Sequence, residues 1–365
     1  MRIQSSADKA VVGVRQLQMA GLVTGHNTGN LHDMLKAFIL KADGSTSHCT
    51  DRASLEAAFH DKTTMIWVDI HQLDDEEIEI LLEVFKFHEL AVEDSVTYSQ
   101  RPKIEHYEHI GDGLGMGYFY MVIHGPDLQS VQSNLRTKEV DIFMSERYLV
   151  TSHDEGMKSI DEVMSRAEID PRMIFANGID GLLYQILDRM TDHYMPILDY
   201  IEDTIDDLED AAAEGTGPSL LERLNKLKRE LLNLRRIVGP QREVVAQLSR
   251  GDVKFISERN RIYYRDVLDH LVRTVEMLEI YRDLIQGARD IYLSSISLHL
   301  NQIMKTLTII SVVCLPLTIV TSFFGMNFPR EDWLFNSHWV FIAAVCFMGT
   351  MVGTLLYWFR TRHWI

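Results

Sequence analysis

The C-terminal end of the chain contains two long segments without a charged side chain, and they constrain the fold more than any other feature. The first runs from Thr306 to Phe328 and the second from Trp339 to Phe359. Because about 20 helical residues cross the hydrocarbon core of a bilayer, each segment is long enough for one span. Two such segments joined by a short loop predict a membrane hairpin, in preference to two helices buried in a soluble core.

The basic residues around the two segments predict their orientation. Lys305 precedes the first segment, and Arg360 and Arg362 follow the second, whereas Arg330 in the loop is outnumbered by Glu331 and Asp332. Positive charge favours the cytoplasmic side. We therefore expect a protein of the inner (plasma) membrane with both termini cytoplasmic. The expected segments are a first span 306–328, an external loop 329–338, a second span 339–359 and a basic cytoplasmic tail 360–365.

The soluble part begins with a mixed pattern over residues 31–153, after a tail, residues 1–30, that we predict to be disordered. Short apolar runs typical of strands are MLKAFIL and TMIWVDI, and a helical pattern follows in DEEIEILLEVFKFH. The stretch KIEHYEHIGDGLGMGYFYMVIHG predicts two strands joined at a Gly-rich turn, and TKEVDIFMSERYLVTSH predicts a hairpin. The fold class expected for this part is an α+β cytoplasmic domain.

Residues 154–305 have a helical pattern throughout. The acidic stretch LDYIEDTIDDLEDAAAEG is followed by the basic stretch LLERLNKLKRELLNLRRIVGPQRE, which predicts a helical hairpin with the acidic arm against the basic arm. The acidic stretch is either a solvated helix face or a device that attracts cations. Beyond Pro240 and Gly251, one stalk helix is expected to run from near Arg259 into the first span. So long a helix cannot bury its apolar side alone, which favours a ring of identical chains.

Composition excludes several other classes of protein. The formal net charge is −17, which argues against nucleic acid as a partner. The three cysteines lack the spacing of a metal finger or a disulfide framework, so a reducing compartment is expected. No catalytic motif stands in its required context, so we do not expect an enzyme.

Polar residues recur at helical spacing along the first span and just before it, and the span contains no carboxylate. They are Asn301, Thr308, Ser311, Thr318, Ser322 and Asn327. Neutral oxygens could hold the hydration shell of Mg²⁺, which loses its water reluctantly, and Met304, Leu307 and Leu315 could form apolar constrictions in a pore. Gly325 could let the backbone turn at the outer end. Small polar residues also mediate helix packing in lipid, so the spacing alone leaves pore and packing open.

The string Gly325-Met326-Asn327, placed after an apolar span and before a second span with a basic end, resembles the CorA family of divalent metal-ion transporters. Two further segments resemble the family: HELAVEDSVTYSQRPKIE, and the stalk and first span from YYRDVLDH to FFGMNF. The resemblance covers roughly residues 31–365.

The resemblance implies a funnel-shaped homopentamer in the membrane lipid that takes up Mg²⁺, and also Co²⁺ or Ni²⁺. Its selectivity filter would be Gly325, Met326 and Asn327. Its pore would be lined by Asn301, Met304, Leu307, Leu315, Thr318 and Ser322. Its cytosolic regulatory site would bind Mg²⁺ between Asp94 and Asp266 of neighbouring subunits, with Glu93 and His270 nearby.

The sequence departs from the family in two places. The loop after the filter lacks the MPEL string common in the family, although Glu331 and Asp332 could still supply an acidic ring. Ser99 stands where family members commonly have a regulatory-site histidine. Two alternatives to an Mg²⁺ channel therefore stay open: a Zn²⁺ transporter of the same fold, coupled or not to protons, and a membrane-tethered coiled-coil structural or signalling protein.

Overall fold

A computed structural model describes residues 35–99, 101–108, 117–130, 135–154, 156–215, 219–326 and 338–364. These residues form two compact units. The first comprises the described chain up to Leu208 together with Leu221–Gln286, and the second comprises Glu209–Leu220 together with the chain from Gly287 onward. The expected tail, residues 1–30, lies outside the described residues. The boundaries predicted at residues 153 and 305 stay predictions.

A mixed sheet of seven strands is the centre of the first unit, as far as the chain is described. In chain order the strands are β1 (Leu35–Leu40), β2 (Thr46–Cys49), β3 (Met65–His71), β4 (Lys103–Tyr107), β5 (Tyr118–Pro126), β6 (Thr137–Met144) and β7 (Tyr148–His153). Their spatial order is β2-β1-β3-β7-β6-β5-β4. Only β3 and β7 pair in parallel within this sheet, and this pair joins an antiparallel β1–β3 half to an antiparallel β4–β7 half. The strands expected from the alternating patterns are present, but most of GDGLGMG lies outside the described residues.

One face of the sheet is covered by short helices. These are α1 (Arg52–His60), α2 (Asp75–Glu79), a π-helical turn (Ile80–Val84) and α3 (Glu89–Val96). The helical pattern in DEEIEILLEVFKFH overestimated the helix, because the chain leaves it after Val84. Phe85 and Phe87 are buried there, and Phe87 stacks on Phe143 of β6 at 4.3 Å between ring centroids. Burial of these aromatic rings outweighs continued helix geometry.

The other face is covered by α4 (Lys158–Ile169), α5 (Pro171–Phe175) and α6 (Gly178–Asp192). Apolar residues three or four apart on these helices are fully buried, among them Ile160, Val163, Leu183 and Ile186. Helix α6 contacts β3, β5 and β7, and α5 contacts β1. The sheet is therefore the middle layer of a three-layer α/β/α arrangement, which buries both faces of the parallel pair.

Four long helices complete the described chain: α7 (Met195–Glu214), α8 (Leu220–Arg250), α9 (Arg261–Phe324) and α10 (His338–Thr361). Helix α9 has 64 residues and is therefore about 96 Å long, as the absence of a helix breaker after Arg259 predicted. Both the predicted acidic arm and the predicted basic arm make polar contacts with α9. The Tyr281 hydroxyl donates to Glu202 of α7 at 2.9 Å, and Arg235 of α8 pairs with Glu279.

Two prolines lie inside helices. Pro316 lies within the predicted first span, whereas the expectation that a helix ends near Pro240 was wrong. A helical proline costs about 3 kcal/mol. Val238 and Val245 flank Pro240 and are fully buried, and burial of a valine contributes roughly 1.5–3 kcal/mol. Helix α8 ends instead at Arg250, and the next residue, Gly251, has a φ of +82°, which suits a glycine.

The start of the long helix α9 is fixed by Asp180, near the start of α6. Its buried carboxylate accepts hydrogen bonds from the backbone N–H of Ser257, at 2.8 Å, and from the Ser257 hydroxyl. Its carbonyl accepts from the buried Tyr264 hydroxyl at 2.6 Å. The segment that leads into α9 is thus tied to the helical layer of the first unit.

Asp180→Ala is expected to destabilise this unit by roughly 1.5–3 kcal/mol, because it removes buried hydrogen bonds to a charged group. The thermal unfolding midpoint of the purified protein should fall. Asp180→Asn should lower it less, since its amide oxygen can still accept from Ser257. Equal midpoints for the alanine variant and the parent protein would contradict this role.

Candidate functional site

All six residues predicted to line a pore lie on α9 and have exposed side chains: Asn301, Met304, Leu307, Leu315, Thr318 and Ser322. With Thr308 and Ser311 they recur mostly at alternating intervals of three and four residues, which places them on one side of the helix. Met304, Leu307 and Leu315 are 59, 55 and 65% exposed. The face thus combines hydroxyl and amide groups with large apolar side chains.

The hydroxyl groups on this face are oriented by the helix itself. The Thr308 hydroxyl donates to the carbonyl oxygen of Met304 at 2.7 Å, and the Thr318 hydroxyl donates to that of Cys314 at 2.9 Å. Each proton is therefore engaged within α9, so each hydroxyl oxygen is left with lone pairs that can accept a hydrogen bond. Water molecules around a cation point their hydrogens outward, and this face offers them acceptors.

Two described helices are long and apolar enough to cross a membrane, namely α9 and α10, and the apolar window of neither is buried. At one end of this pair, Lys305 Nζ donates to the carbonyl oxygen of His363 at 3.0 Å. Phe359 is buried beside them and stacks on Trp364. The start of the first apolar segment and the end of the second therefore lie at the same end, as a hairpin requires.

Of the predicted filter, Gly325 and Met326 lie within the described residues, and Asn327 lies outside them with Glu331 and Asp332. Helix α9 ends at Phe324, and the N–H of Gly325 still donates to Thr321 O at 3.0 Å. The φ of Gly325 is not in the left-handed region, and an added Cβ would lie 3.4 Å from Thr321 O. The predicted role of Gly325 in a backbone turn at the outer end stays a prediction, because the residues after Met326 lie outside the described part of the chain.

The predicted regulatory residues of α3 are Asp94 and the exposed Glu93. Asp94 pairs with Lys103 of β4, whose Nζ also lies 2.9 Å from Glu105 Oε1. Sequence reasoning missed Lys103. The only available signal was its position in the QRPKIE string, ten residues after Glu93.

The predicted regulatory residues of α9, Asp266 and His270, belong to a different acidic group. Burial and the neighbouring carboxylates of Asp192 and Asp266 raise the pKa of Asp188 above its usual range. His270 Nδ1 lies 3.9 Å from Asp192 Oδ1. Within one chain, Asp94 and Asp266 thus have separate partners. Asp188 and Asp192 were not among the predicted site residues, although their spacing of four residues on one helix was a usable signal.

These features define a class: a membrane protein with an α/β/α soluble unit, a helix shared by soluble and apolar parts, and a C-terminal apolar hairpin. The sequence matches the family described as "CorA-like Mg2+ transporter protein" over residues 62–361. The chain belongs to this family, whose members are metal-ion transporters and not enzymes. The resemblance seen in the sequence is thereby confirmed.

Two relatives support the assignment, and a solved structure supports the fold. A Bacillus subtilis protein named a metal ion transporter, without a stated ion, is 33% identical over 82% of this chain and 89% of its own length. The cobalt/magnesium transport protein CorA of Thermotoga maritima is 30% identical over 84% of this chain and 85% of its own length. The solved structure of the CorA magnesium transporter from Methanocaldococcus jannaschii covers 91% of this chain and 99% of its own, with a TM-score of 0.75 and 24% identity. The last comparison supports the fold alone.

Proposed function

We propose that the protein takes up Mg²⁺, and also Co²⁺ or Ni²⁺, through the central pore of a homopentamer. The observation that carries the proposal is the outward face of α9, where Thr308 and Thr318 present acceptor oxygens and no carboxylate. Mg²⁺ keeps its waters because dehydration is costly, so a neutral acceptor face suits the hydrated ion. The Thermotoga maritima relative is named a cobalt/magnesium transport protein, which supports the same choice of ions.

The exposure of α9 supports assembly into a ring. Two spans in one chain cannot enclose a pore, and large apolar side chains of α9 from Leu298 to Phe324 are exposed in the single chain. Copies of α9 would cover one side of each helix, and α10 and lipid would cover the rest. We infer that the protein is in the inner (plasma) membrane with both termini cytoplasmic, since Lys305, Arg360 and Arg362 gather at one end.

Regulation by cytosolic Mg²⁺ belongs to the same proposal. Asp94 and Asp266 supply carboxylate oxygens, the donors that Mg²⁺ prefers, and each is at least partly exposed. Facing carboxylates of neighbouring subunits would repel each other, and a divalent cation bound between them would hold the ring closed. Lys103 is a competing cation for Asp94, so Mg²⁺ would have to bind Asp94 against this ion pair.

Ion uptake into liposomes that contain the purified protein tests the choice of ion. With a negative interior potential, we expect Mg²⁺ and Co²⁺ uptake that depends on the potential and not on a pH gradient. Zn²⁺ uptake that follows the pH gradient, with little Mg²⁺ uptake, would support the zinc-transporting alternative instead. Absence of flux of any divalent ion would favour the membrane-tethered coiled coil.

A further inference from the structure

The carboxyl ends of the parallel strands β3 and β7 bring three ligand-type side chains together. The register pairs Asp69 with Thr151 and His71 with His153. Because side chains two residues apart on a strand share a face, all four project from the same side of the sheet. None of them belongs to the apolar helices or to the predicted regulatory residues.

Asp69 is the centre of this group. Its Oδ2 lies 3.1 Å from His71 Nε2, and its Oδ1 lies 3.3 Å from His153 Nε2. One ligand atom from each residue can be chosen so that all three lie within 4.8 Å of one another. The side chains of Asp69 and His153 are fully buried, whereas that of His71 is 22% exposed and gives the group access to solvent.

In the tautomer that His153 adopts, the lone pair of Nε2 faces the Asp69 carboxylate. His153 Nδ1 lies 2.7 Å from the carbonyl oxygen of Asp154, which can only accept, so Nδ1 carries a proton. In the neutral ring Nε2 is then an acceptor, and it points at Asp69 Oδ1. Neither His153 Nε2 nor Asp69 Oδ2 has a hydrogen-bond partner, although both atoms are buried. Two buried acceptors face each other at low cost only if a cation or a second proton lies between them.

We propose that Asp69, His71 and His153 bind one divalent transition-metal ion, Zn²⁺ or Co²⁺, inside the soluble unit. Tetrahedral Zn²⁺ has ligand bonds of about 2.0–2.2 Å, which separates neighbouring ligand atoms by about 3.3–3.5 Å. The two Asp69–histidine distances, one from each oxygen of the Asp69 carboxylate, are close to this separation. Three protein ligands leave a fourth position for water on the side where His71 reaches the surface.

The surroundings of the three ligands fix their orientation as metal sites require. The Asp154 carbonyl holds the His153 ring, the Thr151 hydroxyl donates to Asp69, and the Trp67 ring N–H donates to that hydroxyl at 3.1 Å.

The ligand set selects against Mg²⁺, the main ion proposed for the pore. Imidazole nitrogens suit Zn²⁺, Co²⁺ and Ni²⁺, whereas Mg²⁺ requires oxygen ligands in near-octahedral geometry. The site would therefore bind its ion in the presence of millimolar Mg²⁺. This inference does not depend on the proposed transport function, because it rests on residues of the sheet alone.

The test uses the purified full-length protein in detergent with excess Mg²⁺, which fills hydrated-ion sites elsewhere. Co²⁺ added to this protein should develop the intense visible absorption of a four- or five-coordinate ion with imidazole ligands, and Zn²⁺ should displace it. His71→Gln, at the more exposed ligand, should abolish the band, and so should His153→Gln. The matched control is His60→Gln, an exposed histidine on α1 of the same unit, which should leave the band unchanged.

Each outcome decides the proposal. A band lost in both ligand variants and kept in His60→Gln supports the site. The weak absorption of octahedral Co²⁺ in the parent protein would overturn it in favour of an imidazolium–carboxylate pair. This outcome is measured on the parent protein, so it does not depend on whether a variant folds. A band that survives both ligand substitutions would assign the ion to other residues and would also overturn the proposal.

Discussion

Asn327→Ala is expected to lower Mg²⁺ uptake by roughly tenfold or more while leaving the oligomer intact. We propose that the amide oxygens of Asn327, one from each chain, accept hydrogen bonds from the waters of the incoming ion. A hydrogen bond to a charged group contributes about 1.5–3 kcal/mol, and each 1.4 kcal/mol is about tenfold in an equilibrium constant. A symmetric ring repeats the loss in every subunit, so the effect should exceed that of one bond.

The measurement is potential-driven Mg²⁺ uptake into liposomes, with the oligomer followed by size-exclusion chromatography in detergent. Thr350→Ala is the matched control, because it removes a small polar side chain from the other apolar segment. Thr350 lies on α10, and its hydroxyl donates to the carbonyl of Cys346 of the same helix. Uptake should be unchanged in this control. Full uptake by Asn327→Ala would contradict the proposal that Asn327 belongs to the filter. Loss of the oligomer would indicate instead that Asn327 acts in assembly.

Local patterns predicted much of the architecture. The two apolar segments, the strands β1 and β3, the β6–β7 hairpin and the long helix α9 all follow from hydrophobic periodicity or from the absence of helix breakers. These features depend on neighbours in the sequence, which is why they could be read from it. Predictions from local patterns failed where burial against residues distant in the sequence determined the backbone. Examples are Pro240 inside α8 and the buried Phe85 and Phe87 beyond α2.

Contacts between distant residues could not be predicted in this way. Asp69 and His153 are far apart in the chain, and only the parallel pairing of β3 with β7 brings them together. Asp94 and Lys103 meet because α3 and β4 pack in the same unit, which no spacing rule indicates. The candidate residues of the pore were easier to predict, since they follow one another along a single helix.

Asp94→Asn combined with Asp266→Asn is expected to keep conducting Mg²⁺ at internal concentrations that close the parent protein. The double substitution keeps the size of both side chains and removes the charges that would bind the regulatory ion. Allosteric couplings of about 1–3 kcal/mol correspond to roughly 5- to 150-fold changes in affinity. We therefore expect half-closure to need at least about fivefold more internal Mg²⁺, measured as current or flux against internal Mg²⁺.

The matched control is Glu89→Gln combined with Asp269→Asn. It removes the same number of carboxylates from exposed positions on the same two helices, α3 and α9. General loss of negative charge would affect both double variants alike, whereas a bound ion between Asp94 and Asp266 affects only the first. An equal shift in both double variants would contradict a specific site.

Lys103→Met is expected to shift the internal Mg²⁺ concentration for half-closure in the opposite direction to the double variant. Lys103 pairs with Asp94 and Glu105, so its removal frees the Asp94 carboxylate from a competing cation. Half-closure should then require less internal Mg²⁺ than in the parent protein. A substitution that merely loosened the soluble unit would not increase sensitivity to the ion. Opposite shifts in Lys103→Met and in the double variant would thus separate binding of a regulatory cation from a change in stability, and shifts of the same sign would exclude Asp94 as its ligand.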